Sequence, residues 1–233
     1  MKVAIMQPYI FPYIGYFQLI NAVDEFIVYD NIQFTKKGWI NRNRILVNGS
    51  DSIFTLPLKK SSTFITIKDK FLADTWEYDR NKLLNRIHES YHKAPNFKET
   101  FEIVEKCLWF DDRNLFNFTL HSIETLMHSL EIDTKVRVSS TIFIDNQLKG
   151  EEKVIAICKE CFADVYINPT GGISLYDKER FNANNIDLKF QKSNIIIYPQ
   201  FDNEFVPWLS ILDVLMFNDK VQIKNFLNNY KLI

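Results

Sequence analysis

The chain has 233 residues, of which 46% are hydrophobic and 15% aromatic, with 28 basic and 29 acidic side chains. This length suits one large domain or two small ones, and the apolar content favours a buried core over a disordered chain. A formal net charge of -1 gives no overall attraction to nucleic acid or to an anionic membrane. Three cysteines are too few for a disulfide scaffold, which favours a reducing compartment.

The apolar N-terminus is predicted to be part of the fold and not a signal peptide. Lys2 is the only basic residue in its first 15 residues, and Gln7, Pro8 and Pro12 interrupt the apolar run. No stretch of the sequence approaches the ~20 apolar residues of a membrane-spanning helix. We therefore expect a soluble, cytoplasmic protein without membrane insertion.

Strand and helix patterns alternate near the start of the chain. Residues 2–7 are predicted to form a strand, 13–22 a helix and 25–30 a second strand. Such a βαβ unit places its two strands parallel, and ligands of parallel sheets bind beyond the carboxyl ends of the strands. Gln7 and Asp30 are expected at that edge.

The rest of the sequence predicts two strands, three helices and then a second alternating region. The predicted strands are 53–58, 64–67, 135–138, 164–167 and 187–190, and the predicted helices are 78–92, 97–108, 114–130, 151–161, 175–184, 207–217 and 219–230. This order predicts an α/β fold with a mostly parallel sheet of βαβ units, Rossmann-like and of the nucleotide-binding type. We expect one domain over residues 1–233, with a helical insertion at about 75–130.

The densest group of polar side chains follows the second predicted strand, from Asp30 to Arg44. Arginine binds carboxylate or phosphate in bidentate geometry, and Trp39 could stack on a base or a sugar. The group favours an anionic small ligand such as a nucleotide-sugar, and a solvated basic hairpin is the alternative. The candidate binding residues within it are Lys37, Trp39, Asn41, Arg42, Asn43 and Arg44.

Two shorter segments carry further candidates. Gly171 and Gly172 follow a predicted strand, and their backbone N–H groups could approach an anion, although a tight turn is the alternative. The pair belongs to neither a Walker motif nor a G-x-G-x-x-G motif. Ser210 and Asp213 are the polar exceptions in an apolar predicted helix and could reach a ligand.

Histidine and cysteine motifs give weaker signals. His88, Glu89 and His92 form H-E-x-x-H on a predicted helix, which is the pattern of a zinc metallohydrolase. No third ligand is evident downstream, so a metal site is not favoured. Cys158 and Cys161 form C-x-x-C at the end of a helix, where buried structural cysteines are favoured over a redox or metal pair.

A serine-rich segment, Val138 to Thr141, follows another predicted strand. It resembles the phosphate loop that ends the α/β folds of adenylyl-transferring enzymes. Those folds also carry a His-x-Gly-His motif after the first strand, and the matching segment here keeps Gly15 but has no histidine. A related nucleotide-binding architecture is therefore open, whereas adenylyl transfer by that route is not supported.

One long N-terminal motif and several shorter ones resemble a known family. The residues that carry the resemblance are Met6–Phe17, Asp24, Tyr29–Asp30, Gln33–Phe34, Lys37, Trp39, Asn41–Asn43, Trp76, Tyr91–Pro95, Tyr166, Gly171–Gly172, Tyr176, Phe181 and Leu209–Asp213. On these residues the chain resembles the WbqC-like family over nearly its whole length. Members of that family are similar to proteins encoded with O-antigen and other surface-polysaccharide enzymes of bacteria.

The resemblance implies a transferase or amide-forming ligase that modifies a nucleotide-linked amino sugar, for example by adding a glycyl or other aminoacyl group. The alternative is a non-catalytic accessory protein that binds the nucleotide-sugar. The donor or cofactor stays open between ATP and an acyl donor, and no nucleic-acid partner is expected. Aromatic residues such as Trp109 and Phe110 could pack a homodimer, and the alternative is that they fill the core.

The enzyme hypothesis assigns roles to the candidates, because no catalytic residue is carried over from the family. Asp30 or His92 would remove a proton from the attacking amine, and Asp30 is preferred because it ends a strand. The cations Lys37, Arg42 and Arg44 would hold phosphates or a carboxylate. The other candidate binding residues are Gln7, Tyr13, Asn41 and Asn43.

Overall fold

The computed structural model of the protein describes residues 1–62, 64–145 and 147–233. Within these residues the chain forms eight β-strands and eight α-helices. The strands are β1 (Lys2–Met6), β2 (Glu25–Val28), β3 (Arg42–Val47), β4 (Ser50–Thr55), β5 (Lys135–Val138), β6 (Val165–Pro169), β7 (Asp187–Ser193) and β8 (Tyr230–Leu232). The helices are α1 (Ile14–Asn21), α2 (Trp76–Tyr91), α3 (Phe97–Leu108), α4 (Leu115–Ser129), α5 (Gly150–Glu160), α6 (Lys178–Asn182), α7 (Ile211–Phe217) and α8 (Lys220–Leu227).

Six of these strands form one sheet in the order β5-β2-β1-β6-β7-β8. The first five strands are parallel, and β8 pairs antiparallel with β7. The predicted mostly parallel sheet is confirmed. The chain runs from β1 to β2 on one side and returns to β6 on the other, so the strand order reverses at β1. In open parallel sheets, ligands bind at such a reversal, beyond the carboxyl ends of the strands.

Apolar side chains cover both faces of the sheet, because successive residues of a strand point to opposite faces. Val3 and Ile5 of β1 belong to a core cluster with buried residues of α5 and α6. Ala4 of β1 and Phe26 of β2 belong to a larger cluster on the other face, which includes buried residues of α1, α2, α3, α4, α7 and α8. The sheet is therefore the middle layer of three.

The three helices α2, α3 and α4 lie between β4 and β5 in the chain, close to the predicted bounds. α3 packs against α2, α4 and α7. The Asn114 side chain accepts a hydrogen bond from the Asn117 backbone N–H and so caps α4 at its N-terminus. None of the described helices is both long enough and apolar enough to cross a bilayer.

The structure differs from the prediction first at the hairpin of β3 and β4. Residues 42–47, interpreted as a polar segment, form β3 and pair antiparallel with β4, which spans 50–55 and not 53–58. Between them lies an Asn-Gly turn, Asn48 (φ 50°) and Gly49 (φ 75°), a typical hairpin connection. The strand was not predicted because its two arginines made the segment look polar, although buried and partly buried residues alternate along its first half.

Three further differences concern residues 64–67 and the last two predicted helices. Residues 64–67 form no strand, since Thr66 makes a single bridge to Gln33 and Ile67 begins a 3₁₀ turn. Helix α7 begins at Ile211 and not at Pro207, because Ser210 is its N-cap. At the C-terminal end of the sequence, Tyr230 belongs to strand β8 and not to the last predicted helix.

Candidate functional site

An aromatic groove opens beyond the carboxyl end of β1. We define the aromatic groove by its lining residues, which are Tyr9, Tyr13, Trp39, Asn43, Arg44 and Trp208. Its volume is about 290 Å³, close to the lower end of small-molecule sites. The loop after β1, the β3 strand with its preceding turn, and the segment before α7 each contribute to it.

Hydrogen bonds inside the protein hold the loop after β1 against β3. The Ile10 N–H donates to the Ile40 carbonyl at 3.0 Å. Asn43 Nδ2 donates to the carbonyls of Ile10 at 3.0 Å and Phe11 at 2.5 Å, and Ser210 Oγ donates to Phe11 O at 2.9 Å. Phe11 has a φ of 46°, an unfavourable backbone conformation for a non-glycine residue, and the hydrogen bonds that its carbonyl accepts help to hold it. Asn43 and Ser210 therefore shape the groove from within.

Tyr13 and Trp208 form one wall of the aromatic groove. Their ring centroids are 6.1 Å apart in an edge-to-face arrangement. The Tyr13 N–H donates to Tyr9 Oη at 3.1 Å. Gly15 makes room for the Tyr13 ring, because a Cβ at position 15 would lie 2.4 Å from the tyrosine Oη. Trp208 has a φ of 60°, an unusual backbone conformation for an aromatic residue.

The side chains of two arginines lie close to the Trp39 ring. The guanidinium carbons of Arg42 and Arg44 are 5.2 Å and 5.7 Å from the indole centroid. Arg44 pairs with Asp51 at 3.1 Å and donates to Trp208 O at 3.0 Å, while Arg42 donates to the Lys37 carbonyl. The Nε atoms of both arginines are buried and have no acceptor among the residues that the structure describes. The Arg44 guanidinium and the partly exposed Trp39 ring both line the groove, and together they suit an anionic ligand with a flat ring.

A second polar group, the edge cluster, lies beyond the carboxyl ends of β2 and β5. It consists of Asp30, Asn31, Ser139, Ser140 and Lys153. Asp30 Oδ1 accepts hydrogen bonds from Ser139 Oγ at 2.8 Å and from the Ser140 N–H at 2.9 Å. Lys153 Nζ donates to Asn31 Oδ1 at 2.8 Å, and Ser139 Oγ is 3.0 Å from the same oxygen. A carboxylate and an ammonium are thus joined through a hydroxyl and an amide.

The Lys153 ammonium is perturbed by its surroundings. Loss of hydration and the nearby Lys68 charge lower its pKa, and Asp30 partly opposes this effect. The ammonium also lies 5.2 Å from the centroid of the Tyr29 ring.

Backbone contacts connect the edge cluster with the aromatic groove. The Tyr29 N–H donates to Met6 O at 2.9 Å, so Asp30 follows β2 next to Gln7, which follows β1. Tyr16 Oη donates to the Gln7 carbonyl at 3.2 Å. The rings of Tyr16 and Tyr9 are 5.3 Å apart, and Tyr9 lines the groove. Gln7 therefore lies between the two groups of polar side chains.

The glycine pair lies at the end of β6, the other neighbour of β1. Residues 170–175 form a 3₁₀ turn, and neither glycine has a positive φ. A Cβ on Gly172 would lie 2.0 Å from Asn168 Nδ2, whereas a Cβ on Gly171 would meet nothing within 4 Å. Gly172 is thus needed for close packing, and Gly171 is exposed at the strand end.

Asp213 lies in a closed network beneath the groove and is fully buried. Its Oδ2 accepts from Tyr91 Oη at 2.9 Å, and its Oδ1 accepts from Tyr198 Oη at 2.8 Å and Gln200 Nε2 at 2.6 Å. Tyr91 Oη accepts from the Leu46 N–H at 2.8 Å. Burial raises the pKa of Asp213 to about 6, although the three hydrogen bonds oppose the rise. Its carboxylate oxygens are thus bonded to protein groups.

Three other predicted residues do not line the aromatic groove. Asn41 is buried and donates from Nδ2 to Leu56 O at 2.8 Å. Lys37 is exposed and contributes its carbonyl to Arg42. His92 is exposed at the end of α2, with Nδ1 3.3 Å from the Glu89 carbonyl. No hydrogen bond or ion pair of the described side chains joins His92 to Asp30.

The contacts of the histidine and cysteine motifs show the chemical state of each motif. The rings of His88 and His92 are stacked at 5.6 Å. Within the described part of the chain, no three His, Cys, Asp or Glu side chains are grouped to hold a metal ion. Cys158 and Cys161 are buried free thiols, as predicted, and burial raises the pKa of Cys158. Trp109, one of the two aromatics proposed for a dimer, is 54% exposed.

Six residues of these two sites were not selected from the sequence. Tyr9 lies in the N-terminal motif that carries the family resemblance, Trp208 immediately precedes another such motif, and their aromatic character was the available signal. Ser139 and Ser140 belong to the serine-rich segment, and Asn31 lies in the polar group after the second predicted strand. Lys153 lies within an amphipathic helix, and only the parallel sheet topology brings it to Asn31.

Comparisons with known proteins identify the family. The model of the WbqC-like protein family matches residues 7–225. The "Uncharacterized protein Rv1507c" of Mycobacterium tuberculosis is 28% identical over 231 residues, which cover 97% of each chain. No solved structure matches the chain significantly. The family match spans the groove, the edge cluster and the Asp213 network, and on this match the chain belongs to the WbqC-like protein family.

Proposed function

We propose that the protein is a transferase or amide-forming ligase that modifies a nucleotide-linked amino sugar bound in the aromatic groove. The observation that carries this proposal is the Arg44 guanidinium 5.7 Å from the ring centroid of Trp39, two side chains that line the same groove. Phosphate oxygens are good acceptors for such donors, and an indole face stacks on a nucleobase or a sugar ring. O-antigen or other surface-polysaccharide biosynthesis is the setting that the family resemblance suggests.

The fold supports a nucleotide ligand. Numbered within the sheet alone, the strand order is 3-2-1-4-5-6, which is that of Rossmann-like dinucleotide-binding folds. The groove begins in the loop after β1, where this order reverses. The antiparallel β8 departs from a fully parallel sheet only at the far edge.

Asp30 is the proposed general base. The amine of the sugar would attack the activated acyl carbon, forming a C–N bond while the bond to the donor's leaving group breaks. The amine proton would pass to the Asp30 carboxylate, which Ser139 and the Ser140 N–H orient. Lys153 would stabilise negative charge on the acyl oxygen. An acyl donor would supply the activated acyl group directly, or ATP would convert a free carboxylic acid into an acyl phosphate, whose phosphate is then the leaving group.

Binding and chemistry can be tested separately. A calorimetric titration with UDP-linked amino sugars measures binding to the full chain. Trp39→Ala should weaken it about 5- to 150-fold, corresponding to ~1–3 kcal/mol for aromatic stacking. Trp109→Ala is the matched control, since Trp109 is also exposed and stacked on an arginine, Arg80, at 3.5 Å. Equal affinities of the unmodified protein, Trp39→Ala and Trp109→Ala would refute the proposal that the ligand binds in the groove.

Asp30→Asn tests the catalytic role. Asparagine keeps an Oδ1 that can accept from Ser139 and Ser140, so the fold should be retained, while a general base is lost. We expect turnover to fall about 10²- to 10⁴-fold with nucleotide-sugar affinity unchanged. Unchanged turnover in a folded variant would contradict the base role.

A non-catalytic nucleotide-sugar-binding accessory protein is the second candidate. The burial of Asp30, 3% exposed and already hydrogen-bonded to two serines, favours it. Binding that depends on Trp39, without product from any ATP or acyl-donor mixture, would support this alternative.

A further inference from the structure

The segment that contributes Trp39 and Asn43 to the aromatic groove also contributes Lys36 and Asn41 to a second cavity. This cavity has a volume of about 590 Å³. Four lysines line it, and we name it the lysine cavity after them: Lys36, Lys59, Lys60 and Lys70. None of these lysines belongs to the candidate site described above.

Lys70 is a buried cation, only 7% exposed. Its Nζ donates to the Lys59 carbonyl at 2.8 Å and to Ser61 Oγ, and it lies 5.5 Å from the centroid of the Phe34 ring. These two neutral acceptors use two of the three ammonium protons. No carboxylate among the described residues pairs with Lys70, which leaves the charge without a counterion.

The other lysines add positive charge to the cavity. Lys59 pairs with Asp74 at 2.7 Å. Within the described part of the chain, neither Lys36 nor Lys60 forms an ion pair. Loss of hydration and the Lys36 charge lower the pKa of Lys70, so the lysines repel one another. An anion between them would relieve this repulsion and satisfy the remaining Lys70 proton.

We propose that the lysine cavity is an anion site that binds the phosphoryl groups of a ligand. Lysine binds phosphate as a mobile point charge, and Lys36, Lys60 and Lys70 together match a multiply charged anion better than a single carboxylate. The Ser61 hydroxyl, whose oxygen accepts from Lys70, can donate its own proton to a phosphate oxygen.

Calorimetric titration of the full chain with inorganic pyrophosphate at low ionic strength tests the site. Lys36→Gln and Lys60→Gln should each weaken pyrophosphate binding about tenfold or more, the loss expected for one charge-assisted contact. These side chains are exposed, so the fold should not depend on them. Lys70→Met should have the largest effect. Lys98→Gln, a change of equal charge on the exposed surface of α3, should leave the affinity unchanged.

Two results would overturn the proposal. One is the absence of measurable pyrophosphate binding by the unmodified chain. The other is an equal loss of affinity in Lys36→Gln and Lys98→Gln, because that pattern would indicate a general charge effect. The titration uses no sugar, so its outcome does not depend on the function proposed for the aromatic groove.

A competition experiment identifies the source of the phosphoryl group. If UDP-linked amino sugars and pyrophosphate displace each other, the lysine cavity holds the diphosphate of the ligand in the groove. If both bind at once, the cavity holds a separate phosphorylated ligand. Each of these results supports an anion site, provided that Lys36→Gln weakens pyrophosphate binding and Lys98→Gln does not.

Discussion

Asp213→Asn tests the energetics of the buried network beneath the groove. Burial raises the pKa of Asp213 from its ordinary 3.8 to about 6, so between these pH values the folded protein retains a proton that the unfolded chain has released. The contribution of this group to the free energy of unfolding therefore falls as the pH rises through this window. At 1.36 kcal/mol per pH unit, the total loss is about 3 kcal/mol.

Asparagine cannot titrate, so the variant lacks the pH-dependent contribution of the Asp213 carboxyl group. A loss of hydrogen bonds, in contrast, changes the stability by the same amount at every pH. The asparagine Oδ1 can still accept from Tyr198 and Gln200, but its Nδ2 would face Tyr91 Oη. This mismatch should contribute about 1–3 kcal/mol of destabilisation that does not depend on pH. The free energy of unfolding of the unmodified protein minus that of the variant should then fall by about 2.4 kcal/mol between pH 4 and pH 7, because part of the total loss already occurs below pH 4.

Urea unfolding, followed by tryptophan fluorescence at pH 4, 5, 6 and 7, measures this difference. A difference that stays constant within about 1 kcal/mol over that range, where a fall of about 2.4 kcal/mol is expected, would refute the assigned ionisation of Asp213. Tyr91→Phe is the companion variant. It keeps the carboxyl group but removes a hydrogen bond that lowers its pKa, so its stability should continue to fall at higher pH.

Three further predictions concern the glycines and the histidines. Gly15→Ala should displace the Tyr13 ring and weaken nucleotide-sugar binding in calorimetry, with little change in melting temperature, because the contact is with the movable end of the ring. Gly172→Ala should lower the free energy of urea unfolding by about 1–3 kcal/mol, since its Cβ would overlap the amide nitrogen of the asparagine four residues earlier. The double variant His88→Ala/His92→Ala should match the unmodified protein in zinc content by mass spectrometry and in resistance to EDTA. A zinc loss confined to the variant would instead support the metallohydrolase hypothesis.

Local sequence patterns predicted the frame of the fold. The βαβ pattern around α1 and the apolar periodicity of α2, α3 and α4 depend on neighbouring residues, so the sequence carries these signals directly. The same reasoning placed Gln7 and Asp30 beyond strand ends. It overlooked β3, where Arg42 and Arg44 alternate with buried residues, although the following Asn-Gly turn was a usable hairpin signal.

The candidate site was harder to predict from the sequence, because its hydrogen-bonded residues lie far apart in the chain. Lys153 and Asn31 are 122 residues apart in the chain, and Asp213 and Tyr91 are equally distant. Sequence patterns named Asp213 as a polar residue in an apolar segment but could not show that its partners are internal. Asn43 was selected for its polarity, and its amide supports the loop that carries Tyr9 and Tyr13.

The left-handed backbone of Trp208 has a consequence for protein engineering. A non-glycine residue in this conformation costs about 1–2 kcal/mol, a strain that glycine at position 208 would relieve while removing one wall of the groove. In a randomised library, selection for heat resistance would enrich glycine or asparagine there, whereas selection for ligand capture would retain an aromatic ring. Trp39, whose φ is not positive, carries no such conflict and is the better position for altering ligand preference.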